Sequence, residues 1–561
     1  MSPSPKTRLF LGTCWCLATL AFAETSAIPT FECLGLYHSG SGAETCQVHY
    51  RAAGEAEWRP ALDLVYDARN QEHRGSIVGL RPDTAYEVRL TQGGRETILQ
   101  ARTRSNRFPI GQTTLVASQR TTLEIKESGT ETGYHLVTPA PQRRATLDVG
   151  NGADPCVVID ANYVIVRGLE LTNAARHGIL IKPGRHHVVI EDCRIAHWGR
   201  GGGPVSFGNV GNMDSAIYAD RGAGQLVIQR NLIENPRGAS NDWDTGHPAG
   251  PQGISLTNSS GGNVIRYNEI VTTEDHGFND AIGGGANFST EGSPNRDSDI
   301  YGNVIAGVWD DGIESEGANM NVRIWGNHLS RVYQHIATAC TSKGPLYIFR
   351  NVFGSARRTP RDAVGGAMIK TGSRGEFGGG RKFVFHNTAL QPRGAFTVFS
   401  GHPDPNTVTR NNIFDCLGHL ASSQPVDDAG DYDYDFYNGS ERGRAREPHG
   451  VRGRMTILPS PHLEYYPAPV TTKVQFGRFS VSLGDRTQTI TDPVVTVPNP
   501  VIDGGIRLPN FNDDFAGRAP DIGAFEVGRP PLRFGRRAAG EVWAPWELYA
   551  EGALPLPPAA P

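Results

Sequence analysis

Apolar residues along the middle of this chain come in short runs, and the runs recur. L-V-I-Q-R-N-L-I occupies 226–233, N-V-I-R-Y-N-E-I 263–270, D-I-Y-G-N-V-I 299–305, V-R-I-W-G-N-H-L 322–329 and L-Y-I-F-R-N-V-F 346–353. F-V-F-H-N-T-A-L at 383–390 and V-T-R-N-N-I-F at 408–414 continue the series. Each unit has a few β-branched or apolar residues, then an asparagine, then another apolar residue. The asparagines fall at 231, 268, 303, 327, 351, 387 and 411, a base spacing of 24 with loop-sized additions. No 3.6-residue periodicity runs between them, so the pattern predicts strands. A unit this small cannot bury its own apolar face and must stack on its neighbours. Stacked strands about 4.8 Å apart give parallel sheets around a continuous core. The asparagine suits a turn that needs left-handed backbone, and in register its amides can bond up the pile.

This pattern resembles the right-handed parallel β-helix of the pectin-lyase-like superfamily, over roughly residues 110–430. The expected fold is all-β: a single-stranded right-handed parallel β-helix over 106–430, preceded by a small β-sandwich over 28–104. The sandwich expectation rests on strands bounded by Gly, Ser and Glu turns, and on G-L-R-P-D-T-A-Y-E-V-R-L at 79–90. There Leu80, Pro82, Thr84 and Tyr86 resemble the tyrosine corner of a fibronectin type III domain. Beyond about 430 the repeat fades into an irregular segment, 431–561. Within it R-A-P-D-I-G-A-F-E at 518–526 resembles a tail of secreted β-helix proteins and is expected to pack near the last coils.

Length changes the picture little: 561 residues exceed one ordinary core, which fits three parts. Gly 68 and Pro 38 suit a fold of tight turns. A net charge of −4 leaves no basic footprint for nucleic acid. Lys6 and Arg8, an apolar run over 9–22, and Ala21-Phe22-Ala23 read as a signal peptide over 1–23. Export to the periplasm, the cell surface or the medium is expected, with no membrane insertion after the signal is removed and a monomeric mature chain. Cys33 and Cys46 are close enough in sequence to pair in an oxidising compartment. No C-x-x-C occurs, so neither a zinc cage nor a dithiol site is indicated.

Candidate chemistry centres on W-D-D-G-I-E-S-E-G-A-N at 309–319, with Asp310, Asp311, Glu314 and Glu316. If Ile313 points inward, alternation sends Gly312, Glu314 and Glu316 outward. Aligning coils on their inward apolar residue places Asp280 two before Ile282, as Asp311 is two before Ile313. His335 precedes Ile336, and Lys370 follows Ile369. Insertions at 199–214, 236–250, 272–279, 284–298 and 355–366 would build walls beside this face and leave a groove for a polymer.

The order Asp280, then Asp310 with Asp311, then His335, then Lys370 resembles polygalacturonase-type glycoside hydrolases. F-N-D, W-D-D, Q-H-I and M-I-K-T stand at the four positions, with Met368 where that family has arginine. The resemblance implies inverting hydrolysis of an acidic polysaccharide, with no cofactor. Asp311 would be the acid, Asp280 and Asp310 the bases, and His335 a further catalytic residue. Lys370, Arg350 and Arg374 would bind substrate carboxylates, and Trp243 would stack on sugar rings. The outward E-x-E pair Glu314 and Glu316 also resembles the calcium-binding pair of some uronate lyases, implying calcium-dependent elimination with Lys370, Arg350 or Arg374 as base. A non-catalytic polysaccharide-binding or surface protein is the third reading. Hydrolysis is the reading the sequence favours.

Overall fold

The computed structural model describes residues 25–201, 213–362, 365–390, 393–399, 402, 405–416, 430–437, 447–452, 479–483, 486–490, 501–530, 532–540 and 542–549. The signal peptide expected at 1–23 lies outside the described residues. No helix among them is long and apolar enough to cross a membrane.

Two long sheets of parallel strands run up the molecule, one of 20 strands and one of 12. Their shared interior is one apolar column from Val116 to Tyr437. Isoleucines stack through it in register: Ile217 on Ile254, Ile254 on Ile282, Ile282 on Ile313, Ile313 on Ile336 and Ile336 on Ile369. This is the parallel β-helix that the repeat predicts.

The repeated asparagines form a buried ladder. Asn231, Asn268, Asn303, Asn327, Asn351 and Asn387 each donate Nδ2 to the Oδ1 of the next, at 2.9–3.0 Å. Two details differ from expectation. The left-handed residue is the one before each asparagine: Arg230, Tyr267, Gly302, Gly326, Arg350 and His386 all have positive φ. The asparagine is there for its amide, which feeds the turn below and the coil above. The last rung is Asn412 rather than Asn411, and it is closed by Asp435 at 2.8 Å. Asn411 takes the left-handed position, with φ 58°.

The N-terminal residues form two four-stranded antiparallel sheets. The Arg81 N–H donates to the Tyr86 hydroxyl at 2.9 Å, tying the loop to its strand. Cys33 and Cys46 are not joined; they are buried in different apolar clusters. The sandwich is fastened directly to the 12-stranded sheet. Arg323 donates to Asp299 at 2.6 Å and to Ser76 at 3.2 Å, Thr30 donates to Asp299, and Tyr37 donates to Asp297 at 2.9 Å.

The C-terminal segment does not stop at the last coils. Val501, Ile522, Ala524 and Phe525 pack on Val304, Ala306, Val352 and Ile413. Arg536 pairs with Glu269, and the Trp546 indole donates to Asp192 O at 2.9 Å, so the chain runs back toward the first coils. His386 pins this segment. Its Nε2 accepts from Asn512 at 2.8 Å and Asn411 at 3.0 Å, while Nδ1 faces the Gly523 carbonyl at 3.2 Å. These partners require a neutral ring that donates from Nδ1. Burial, with Arg350 adding to it, pushes the pKa down to about 3. The unfolded value is about 6.5, so the unfolded chain takes the proton first. The contribution is full above pH ~6.5 and is lost progressively toward pH ~3. Amides of 501–525 are therefore expected to exchange faster as pH drops from 6.5 to 4, after correction for intrinsic rates. His386→Gln, which does not titrate, should flatten that dependence; an unchanged slope would assign the effect to another group.

Candidate functional site

The site is built on the strand Val304–Glu314. It pairs with His328–Thr338, but Val308 faces Val332 while Asp311 faces Gln334, so the acidic strand carries one extra residue. Alternation alone can send only one of Asp310 and Asp311 outward. The bulge lets both reach the same face. It also overturns the expectation for Gly312. A Cβ there would sit 2.7 Å from the His335 carbonyl and 2.7 Å from Leu329 Cδ2, against the interior, so no other residue fits without displacement.

Five carboxyl groups meet one ammonium. Asp280, Asp310 and Asp311 each offer an oxygen, and these oxygens lie within 4.8 Å of one another. All three are buried. Asp280 accepts from Gln252 and Asn279 at 2.8 Å and from the Asp311 N–H at 3.1 Å. Lys370 Nζ sits 2.5 Å from Asp311 and 3.5 Å from Glu316. Glu314 accepts from the N–H groups of Gly284 (3.2 Å) and Gly285 (3.4 Å) and from Asn287 at 3.1 Å. Glu316 accepts from the Ala339 N–H at 3.0 Å.

The electrostatics follow from this crowding. Burial raises Asp280 and Asp311 well above the usual carboxylate range, and their acidic neighbours add to it. Glu316 is raised likewise by burial, against the pull of Lys370. Asp310 is pushed up to about 6 by burial, with Lys370 opposing and Glu314 adding. Lys370 is raised well above its ordinary value: the surrounding acids, Asp311 foremost, overcome its burial. One ammonium cannot neutralise five carboxylates, and each buried uncompensated charge costs several kcal/mol, ~3–5 by analogy with broken buried pairs. The cluster must hold protons or a cation. The donor set fits a hard divalent cation, since it is all oxygen. Asp310 Oδ1, Asp311 Oδ1 and Glu316 Oε2 are buried with no hydrogen-bond partner. The aspartate trio offers three oxygens that converge, where sequence pointed to the Glu314 and Glu316 pair. Glu314 is occupied by the 284–287 backbone and amide, and Glu316 by Ala339 and Lys370.

Two walls rise beside the cluster. On the Asp310 side the His247 Nε2 stands 3.7 Å from Asp310 Oδ2, and Trp243 stacks on Tyr333 with centroids 5.4 Å apart. Thr359 ties the 355–366 insertion to Asp244 at 2.6 Å. Arg357 lies 3.7 Å over the Trp309 ring. On the Glu314 side the insertion after Ile282 runs along the coils. Ser342 donates to Ser289 O at 2.6 Å, and Phe288 reaches Phe399 with ring centroids 6.2 Å apart.

Asp280, Asp310, Asp311, Glu314, Glu316 and Lys370 are thus brought together, with Trp243 on one wall and Arg374 at the end of the other. Two expected residues do not join them. His335 is fully buried on the interior side, edge-on to Phe353 at 5.4 Å, and burial pushes its pKa down to about 4. Its neighbour Ile336 faces the core as well, so alternation is broken here as it is at Gly312 and Ile313, and His335 does not reach the acids. Arg350 occupies the left-handed corner and pairs with Asp514 at 3.1 Å, in the C-terminal segment. Sequence reasoning missed Gln252, His247, Tyr333, Phe288 and Phe399. Gln252 was within reach, since it lies two before Ile254 as Asp280 does before Ile282. The others come from loops and strand ends whose meeting no spacing reveals.

By its fold the chain is a parallel β-helix protein. No protein-family model and no curated protein matches the sequence. Among solved structures it is similar to the pectate lyase Pel9A at 14% identity and a TM-score of 0.41, over 74% of this chain and 86% of that one.

Proposed function

We propose that this chain is a cation-dependent polysaccharide lyase that cleaves a uronate-containing polymer by β-elimination. The observation that carries the reading is the 4.8 Å grouping of Asp280, Asp310 and Asp311 beside Lys370. Inverting hydrolysis needs two carboxyl groups about 6.5–9.5 Å apart with water between them, and retaining hydrolysis about 5–5.5 Å. Three carboxylates that each bring an oxygen within 4.8 Å of the others, two of them with an unpartnered oxygen, are suited to hold a cation. Asp280, Asp310 and Asp311 would hold it, with calcium the expected ion for an all-oxygen set. Bound there, it would supply positive charge beside the substrate carboxylate and so acidify the neighbouring C–H.

The remaining chemistry belongs to the chain. Lys370 as neutral amine takes the proton from C5 of the uronate. The C5–H electrons form the C4–C5 double bond and the C4–O bond breaks. The leaving oxygen takes its proton from water. Lys370 is held protonated by Asp311 and Glu316, so those acids must be neutralised before it can act. Asp280 and the Gln252 and Asn279 amides fix the floor of the site, and Trp243 and Tyr333 form one side. One observation favours the hydrolase reading: Asp310, at about 6, is suited to a general acid near neutral pH.

Product analysis on polygalacturonate, alginate and neutral polymers separates the readings. Unsaturated uronate products are expected, lost with chelator and restored by calcium. Saturated reducing ends insensitive to chelator would establish hydrolysis, and binding without products would establish a binding protein.

A further inference from the structure

The wall on the Glu314 side ends in a feature that elimination does not use. Phe288 sits on the 284–298 insertion and stacks on Phe399, with 23° between the ring planes. Phe399 is 39% exposed, one of few large apolar side chains left so open among the described residues. Arg374, exposed, places its guanidinium 5.7 Å from the Phe288 ring, and no carboxylate among the described residues pairs with it. Lys370 Nζ stands 5.6 Å from the Phe399 ring. The coil register accounts for the closeness: Lys370 pairs with Thr397, two residues before Phe399.

An aromatic pair with one ring exposed and the other half-buried, rimmed by a cation, matches a ligand with one apolar face and one carboxylate. A uronate ring is such a ligand. Its C–H face lies on an aromatic ring, and its carboxylate is planar and acceptor-only, the partner a guanidinium binds through two parallel bonds. A neutral sugar would use the rings and leave Arg374 without an anion. A peptide or lipid partner would call for a larger apolar patch than one ring pair.

We propose that Phe288, Phe399 and Arg374 form a uronate-binding subsite next to Lys370, which selects the charged sugar adjoining the cleavage point. The proposal deepens the lyase reading and rests on it for the place of cleavage, but it is tested by binding. Titration calorimetry would use the full chain carrying Lys370→Arg, with polygalacturonate, alginate and the carboxyl-reduced form of each. Arg374→Gln in that background should weaken binding of the acidic polymer roughly tenfold and leave the reduced polymer unaffected. Phe399→Ala should weaken both. Affinities equal to the parent, an equal effect of Arg374→Gln on charged and reduced polymers, or no binding of either uronate polymer by the parent would each overturn the subsite. Failure of the wild type to yield unsaturated products overturns the lyase reading instead, and the binding arms report independently of it.

Discussion

Lys370→Arg is expected to leave the fold intact and lower turnover by about 10³-fold, within the range a positioned general base supplies. Arginine keeps the positive charge that Asp311 and Glu316 require, at 2.5 and 3.5 Å from Nζ in the parent. It does not release a proton in the accessible range, so it cannot serve as base. Lys370→Met is the instructive contrast. It strips the one ammonium from Asp280, Asp310, Asp311, Glu314 and Glu316, so it should lose stability as well as turnover. Steady-state kinetics with thermal unfolding of both variants separates the two effects. The pH profile gives an independent reading. While its acids are not neutralised they raise the pKa of Lys370, so without the cation the amine form is scarce at neutral pH. Turnover proportional to that form rises with pH by up to about tenfold per unit until the pKa is reached. A Lys370→Arg enzyme that retains a tenth or more of wild-type activity would move the base elsewhere.

How far this site could be read from sequence depends on which interactions are periodic. The isoleucine column is periodic, and aligning on it places Asp280, Asp311 and Lys370 on one face, as the structure does. The asparagine ladder is periodic too, but the dipeptide Asn411-Asn412 offers two equal candidates. Only the backbone, left-handed at Asn411, decides that Asn412 enters the ladder. Alternation fails where a strand gains a residue. The bulge before Asp311 brings both aspartates to the outer face and turns Gly312 inward, and no residue in W-D-D-G-I-E announces it. Arg350 looked available because its partner, Asp514, lies 164 residues away in a segment without repeat. Non-periodic, long-range contacts of this kind also set the walls, where Phe288 meets Phe399 and Trp243 meets Tyr333.

The sandwich is a second case of a contact invisible in sequence, and Arg323→Leu is expected to expose it. Arg323 and Asp299 are both fully buried, and their pair is held from above by Ser76 and Thr30 of the sandwich. Removing the guanidinium leaves Asp299 charged and buried with a hydroxyl for company. Breaking such a pair costs about 3–5 kcal/mol, more than replacing both members. The single variant should therefore unfold at markedly lower urea and be cut by protease within 105–108, between the sandwich and the first strand of the helix. Arg323→Leu with Asp299→Leu should recover much of the loss, because no charge is then stranded. Proteolysis and unfolding alike indifferent to Arg323→Leu would mean that the pair does not fasten the sandwich, and that its attachment rests on Tyr37, Arg74 and the apolar contacts of Cys33 and Val78 with Tyr347 and its neighbours. If the sandwich is released and cleavage of polymer survives, the module serves the stability of the β-helix. If cleavage falls in step, its clamp on the sheet that backs the site holds the acids in place.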